Sequence, residues 1–318
     1  MKIVVLDGFA VNPGDLSWDF LEKYGEAHVY EKTANADVAA VAAGATAVFT
    51  NRAAIDAAVL DAVPTLRFVC ATGTGYDMID VAACTARGVA VCNVPAYSSD
   101  AVAQHAFALL YALTNDLSGL QNIVKDGKWT GMPGFHYERV RTTELAGLTI
   151  GLVGYGGIGR RMAEICRAFG MRVLASTRTK QTGSDGIATF VPMETLQAES
   201  DCISLHCPLT AETRGMVDAA FLAKCKSGVL LVNTARGAVL NEADVATALA
   251  NGHVGGLAAD VLATEPPPQD HPFLTAPNCI LTPHAAWTPR QTRARLLSVL
   301  EENLAAFAKT GRGKHQVN

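Results

Sequence analysis

The sequence predicts an α/β protein of two doubly wound parallel-sheet domains, and three observations carry that expectation. At 318 residues the chain exceeds what one hydrophobic core usually organises. Short runs rich in Val, Ile and Leu alternate with longer helical patterns, the rhythm of βαβ units. That rhythm occurs as two successive series, so two sheets are expected rather than one.

In the first series, strands are expected near Ile3 to Leu6, Ala47 to Thr50, Leu66 to Cys70 and Val89 to Cys92. Asn93-Val94-Pro95-Ala96 then makes a break, and Ser98-Ser99-Asp100 offers N-cap candidates for a long helix from Ala101 into the 120s. This helix is expected to open the second domain. A polar stretch with Gly127, Gly131, Pro133 and Gly134 separates it from a fresh run of strands. These are Leu148 to Val153, Arg172 to Ala175, Cys202 to Leu205, Val229 to Asn233, Leu257 to Asp260 and Cys279 to Thr282. A last periodic stretch, Pro289 to Lys309, predicts a helix that has to pack on one of the two domains.

Composition narrows the function classes. Hydrophobic residues make up 49% and charged ones 18%, which excludes general disorder. A net charge of -4 without any run of Lys or Arg provides no footprint for nucleic acid or an anionic membrane, so a small-molecule partner is expected. The eight cysteines form no CxxC pair and lie mostly in apolar runs, so they read as reduced, buried thiols rather than as a disulfide framework or a metal site. Asp7 interrupts the apolar start, which reads as a strand and not as a signal peptide. Ala101 to Leu113 is shorter than the roughly 20 residues that span a bilayer. A cytoplasmic location follows as the default expectation.

The most specific local signal is Gly154-Tyr155-Gly156-Gly157-Ile158-Gly159, which directly follows the strand ending at Val153 and opens an amphipathic helix. In that strand-turn-helix setting Gly154 permits the tight turn and Gly156 lets the backbone approach a pyrophosphate. Gly159 lets the helix pack closely on the strand, and the phosphates face the helix N-terminus. An acidic residue ending the next strand would favour NAD, because a carboxylate accepts hydrogen bonds from the adenosine ribose. The sequence there is Ser176-Thr177-Arg178-Thr179, and Arg178 with neighbouring hydroxyls suits a 2′-phosphate instead. The expected cofactor is NADP(H) or NAD(H), with a lean to NADP(H).

Later strands end in polar clusters: Asn233 to Gly237, Asp260 to Pro266 and Thr282 to His284. In an open α/β sheet such ends border the ligand crevice. Each residue alone has an ordinary reading, as a surface arginine, a solvated turn glutamate or a satisfied loop histidine. Together they suit one reaction. Arg236 binds a 2-keto acid carboxylate through its forked donors. His284 protonates the carbonyl oxygen as hydride reaches the carbon. Glu265 on the other ring nitrogen fixes the tautomer and favours the imidazolium. His206 is expected to shape the cofactor pocket rather than to move protons.

With these residues in hand, the sequence resembles the D-isomer-specific 2-hydroxyacid dehydrogenases, in their glycerate dehydrogenase and hydroxypyruvate (glyoxylate) reductase branch. The likeness spans essentially the whole chain and is carried by Gly151 to Gly159, His206 to Thr210, Glu212 to Gly215, Asn233 to Gly237, Asp260 to Pro266 and Thr282 to His284. It implies Arg236, Glu265 and His284 as the catalytic set, for hydroxypyruvate or glyoxylate reduction to D-glycerate or glycolate. It implies that Thr74, Gly75 and Tyr76 receive the substrate carboxylate, that Asp260 holds the nicotinamide carboxamide, and that His206, Cys207, Pro208, Thr213, Thr234 and Ala235 line the cofactor. It also implies a discontinuous, flavodoxin-like substrate domain, residues 1–97 and 286–318, around a Rossmann dinucleotide domain, residues 98–285. A homodimer is implied, with the long Ala101 helix and the following loop as its surface. Thr177, where many NAD-using relatives carry Asp, and the stretch Thr72 to Asp77 depart from the commoner family pattern. The rival reading in the same fold is a nucleotide-sensing corepressor that binds partner peptides.

Overall fold

The computed structural model describes residues 1–130, 142–180 and 182–318. It divides into two compact units, Met1–Ser98 with Trp287–Asn318, and Ser99–Ala286.

In the first unit the strands are β1 (Lys2–Val5), β2 (Glu26–Val29), β3 (Ala47–Thr50), β4 (Phe68–Ala71) and β5 (Ala90–Cys92). Among the described residues they form a five-stranded sheet in the order β2-β1-β3-β4-β5, parallel throughout, which is the flavodoxin-like arrangement. Successive residues of each strand serve opposite faces. Ile3, Val5, Phe49, Phe68 and Cys70 pack with Leu296, Leu300 and Leu304 of the terminal helix Arg290–Thr310. Val4, Val48, Val69 and Ala71 pack on the other side with Val59, Leu60 and Cys84. A sheet covered on both faces explains why its strands read as unbroken apolar runs. The exception is β2, an edge strand of sequence Glu-Ala-His-Val that no apolar run announces.

The second unit holds β6 (Thr149–Val153), β7 (Arg172–Ser176), β8 (Gly183–Ser184), β9 (Thr189–Phe190), β10 (Cys202–Leu205), β11 (Val229–Asn233), β12 (Val254–Ala259) and β13 (Cys279–Leu281). Their order is β13-β12-β11-β10-β6-β7-β9-β8, and only the short edge pair β8–β9 is antiparallel. The helices Ser99–Thr114 and Gly157–Ala168 cover one face, through Ala103, Ala106, Leu110, Met162 and Cys166. Leu196, Phe221, Leu222, Val245 and Leu249 cover the other. Chain order reverses between β6 and β10, and ligands bind outside the carboxyl ends of strands at such a switch point.

Two local expectations need correction. The long helix from Ala101 into the 120s is two helices, Ser99–Thr114 and Leu117–Lys125. Asp116 ends the first because its carboxylate accepts the Gly119 N–H at 2.8 Å and so caps the second, a role Asp fills better than a helix interior. The strand expected from Leu257 starts at Val254, since its two glycines are strand residues. A Cβ on Gly255 would lie 2.5 Å from the Gly228 carbonyl oxygen, so glycine here marks close backbone approach. Gly131, Pro133 and Gly134 of the expected separator lie outside the described residues. Among the described residues no helix is long and apolar enough to cross a membrane.

Candidate active site

The glycine loop leaves β6 at the switch point. Gly154 has φ +95°, and a Cβ there would sit 2.6 Å from the His206 carbonyl oxygen, so the turn tolerates no side chain. Gly159, in the first turn of the Gly157–Ala168 helix, abuts the Gly154 carbonyl in the same way. A Cβ on Gly156 meets nothing within 4 Å, so the backbone there faces open space beside the helix N-terminus. Tyr155 points elsewhere: its hydroxyl donates to Asp185 at 2.9 Å and its ring stands edge-on to Phe190. Burial and the Asp185 charge hold that phenol above its ordinary range. Tyr155 therefore braces the loop against the β8–β9 edge.

The other residues expected at the cofactor ring the same strand ends. His206 follows β10, donates its backbone N–H to Val153 at 2.7 Å and pairs its Nε2 with Ser204 Oγ at 2.9 Å. Desolvation pushes its imidazole down to about 4, so it stays neutral and does not shuttle protons near pH 7. Burial raises the Cys207 thiol, keeping it protonated. Thr213 accepts the Thr210 N–H at 2.8 Å and donates to the Pro208 carbonyl at 2.7 Å, which folds the segment after His206 into a turn. Thr177 Oγ1 closes a turn with the Lys180 N–H at 2.9 Å, and Arg178 stands exposed on that turn. The Glu212 carboxyl is lowered by the Thr210 hydroxyl first and by the charge of Arg178 among lesser causes. At the end of β11, Thr234 Oγ1 is the one buried side-chain oxygen or nitrogen without a hydrogen-bond partner among the described residues. An open backbone at Gly156 and an orphaned hydroxyl at Thr234 are what a bound dinucleotide would fill and satisfy, so these residues fit that cofactor.

The candidate reactive groups follow three adjacent strands. Asn233, fully buried at the end of β11, accepts the Ala235 N–H and donates to the Arg236 carbonyl, both at 3.0 Å. That shapes the bend carrying the half-buried Arg236, whose Nη1 donates to the Ala235 carbonyl at 2.9 Å. After β12, Glu265 accepts the Leu262 N–H at 3.1 Å on Oε1 and pairs with His284 Nδ1 at 2.7 Å through Oε2. His284, after β13, has φ +53° and donates its backbone N–H to the Asp260 carbonyl at 2.8 Å. With Nδ1 committed to Glu265, Nε2 is the ring nitrogen left for a reacting oxygen.

Asp260 has a structural role that sequence reasoning missed. Its buried carboxylate accepts the Ala285 N–H at 2.8 Å, the Ala286 N–H at 2.9 Å and the Thr282 hydroxyl at 2.5 Å, and His105 Nε2 lies 3.4 Å away. Burial would raise this carboxyl, but these donors together hold it below its usual range, so it is ionised. Asp260 thus fixes the segment on which His284 rides. Backbone donors carry no sequence signal; His105, a lone imidazole in an apolar helix, does.

In the other unit, the segment following β4 is tied down by the Thr74 hydroxyl donating to the Val94 carbonyl and by Asn93 Nδ2 donating to the Thr74 carbonyl, each at 2.8 Å. Gly75 and Tyr76 continue that loop, with the Tyr76 ring exposed.

A Rossmann unit with a glycine loop and an Arg, Glu and His set at neighbouring strand ends defines a nucleotide-dependent oxidoreductase. Residues 107–286 match the family model described as D-isomer specific 2-hydroxyacid dehydrogenase, NAD binding domain. The chain is 39% identical over 313 residues to a hydroxypyruvate reductase of Blautia hydrogenotrophica, covering 97% of each chain. It is 34% identical over 309 residues to a glycerate dehydrogenase of Methylorubrum extorquens, covering 96% of each. Among solved structures, an NADPH-dependent glyoxylate/hydroxypyruvate reductase from Sinorhizobium meliloti, in complex with NADP and malonate, superimposes with a TM-score of 0.84 at 29% identity, over 99% of this chain and 96% of that one. This chain belongs to the D-isomer specific 2-hydroxyacid dehydrogenase family.

Proposed function

We propose that the protein reduces hydroxypyruvate to D-glycerate or glyoxylate to glycolate with NADPH, and less well with NADH. The observation that carries this reading is the 2.7 Å pair of Glu265 Oε2 and His284 Nδ1, in the same unit as the glycine loop. Bound there, the nicotinamide supplies a hydride to the carbonyl carbon. His284 Nε2 gives a proton to the carbonyl oxygen, so the carbonyl becomes an alcohol and the imidazole is left neutral. Glu265 steadies the ring in the tautomer that presents Nε2. Arg236 holds the carboxylate and polarises the adjacent carbonyl. The family resemblance gives the backbone around Thr74, Gly75 and Tyr76 a role in receiving the substrate carboxylate, and on that ground Met1–Ser98 with Trp287–Asn318 is the substrate unit.

The lean to NADPH rests on Arg178, exposed beside Thr177 where no carboxylate stands. Named relatives are enzymes, which leaves the peptide-binding corepressor reading without support. A second copy of the chain is the partner this reading includes. Leu117, Leu120, Val124 and Trp129 present exposed apolar side chains along the Leu117–Lys125 helix and just after it. Part of the loop expected to join them lies outside the described residues.

Steady-state rates on a panel of 2-keto acids with NADPH and with NADH test the proposal. Turnover of hydroxypyruvate or glyoxylate with the higher kcat/KM for NADPH is expected. No turnover of any 2-keto acid with either cofactor would overturn it.

A further inference from the structure

Behind Glu265 stands a second acid–imidazole pair that the reaction does not use. His271 is 6% exposed and its ring packs edge-on against Phe273, a residue of the core, at 5.3 Å between centroids. The Phe273 N–H reaches His271 Nδ1 at 3.3 Å. A ring nitrogen that accepts a backbone N–H carries no proton, so the proton sits on Nε2. Nε2 lies 3.2 Å from Glu242 Oε2, and the other oxygen of Glu242 accepts the Ala263 N–H at 2.9 Å. Ala263 sits between Leu262 and Glu265, on the loop whose Leu262 N–H reaches Glu265 Oε1 at 3.1 Å. Gly237 also approaches this loop closely, since a Cβ there would overlap the Leu262–Ala263 peptide.

We propose that Glu242 and His271 are positioning residues for Glu265: their chain of hydrogen bonds runs from the core to the Ala263 amide and holds the loop so that the Glu265 carboxylate meets His284 Nδ1. Glu265 itself is on an exposed loop, and its pairing with His284 needs a geometry held within a fraction of an ångström. The Ala263 N–H is the point where that loop is tied to the Glu242–Ala250 helix. His271 supplies the donor that keeps Glu242 turned toward it.

This inference rests on the proposed keto acid reduction for its kinetic arm alone; its second arm is independent of activity. His271→Asn keeps an acceptor for the Phe273 N–H and deletes the donor to Glu242. His271→Gln does the reverse. Hydrogen exchange at the Leu262 and Ala263 amides, measured by NMR on the full chain, reads the loop directly. His271→Asn raises exchange at both amides about tenfold or more, whereas His271→Gln leaves them within about twofold. On the keto acid that the unsubstituted protein turns over, His271→Asn lowers kcat by about tenfold, part of what a positioned proton donor contributes, with the cofactor Kd unchanged. Glu242→Gln, with one oxygen for two donors, repeats the His271→Asn pattern. A merely structural role, in which His271 only caps the turn at Pro272, gives the opposite order, with His271→Gln the more harmful. That order, or Leu262 and Ala263 amides as protected in His271→Asn as in the unsubstituted protein, would overturn the proposal. An unsubstituted protein that reduces no keto acid sinks the proposed function and leaves the exchange result to decide the positioning role.

Discussion

His284 is held from three directions: its ring by Glu265, its N–H by the Asp260 carbonyl, and the two following amides by the Asp260 carboxylate. Substitution therefore separates chemistry from folding. Asn tolerates the left-handed φ of +53° better than other non-glycine residues do, so His284→Asn keeps the loop while removing the proton donor. A fall in kcat of about 10²- to 10⁴-fold is expected, at a melting temperature close to that of the unsubstituted protein. A loss below tenfold at saturating keto acid would count against the assignment. Arg178→Ala is expected to raise KM for NADPH about tenfold or more and to leave NADH nearly unchanged, as loss of a charge-assisted phosphate contact requires; equal effects on both cofactors would refute its role. His206 makes a prediction about pH. With its imidazole pushed from 6.5 down to about 4, the folded protein resists a proton that the unfolded chain accepts between those values. Stability is therefore full above pH 6.5 and falls as pH drops toward 4, by about 3 kcal/mol from this group. Melting curves across that window are expected to flatten in His206→Gln; parallel curves would show the group to be uninvolved. That Arg236, Glu265 and His284 stand at neighbouring strand ends, with Glu265 on the His284 ring, was legible because each residue type suits one step of the proposed reduction. The scaffolding by Asn233, Asp260, Glu242 and His271 was not, because its partners are backbone groups or side chains distant in sequence.

At the level of elements, what the sequence announced depends on burial. β3, β10 and β11 begin and end where their apolar runs do, since both faces of these sheets are covered. The edge strand β2 escaped notice because it lacks an apolar run, and β8 and β9 because two residues each are too few to show one. Asp116 splits a helix for a reason visible only once its partner amide is seen. Asp116→Ala is expected to cost about 1 kcal/mol of local helix stability, read as faster amide exchange over Leu117–Lys125. The glycine loop is the element where position and function meet. Gly154→Ala places a Cβ 2.6 Å from the His206 carbonyl oxygen in a backbone of φ +95°. Strain of about 1–3 kcal/mol follows. Cofactor affinity measured by fluorescence titration is expected to fall at least tenfold; unchanged affinity would mean that the loop does not cradle the dinucleotide.

For the whole molecule, the exposed apolar residues of the Leu117–Lys125 helix bear on assembly. Leu120→Glu with Val124→Glu is expected to convert a dimer to a monomer in sedimentation, with folding intact; a parent protein that sediments as a monomer would remove that partner. Two sheets were legible because the chain length and the doubled βαβ rhythm both demanded them. The chain's return through Arg290–Thr310 to the first sheet was implied by resemblance to a family and not by any residue pattern. The strand order β13-β12-β11 puts Arg236, Glu265 and His284 on consecutive neighbours within a single stretch of the chain. The set proposed for proton delivery is thus encoded in one contiguous segment, inside the unit that carries the glycine loop. On the proposed reading, change elsewhere in the chain leaves the three residues inherited together, because one stretch carries them all.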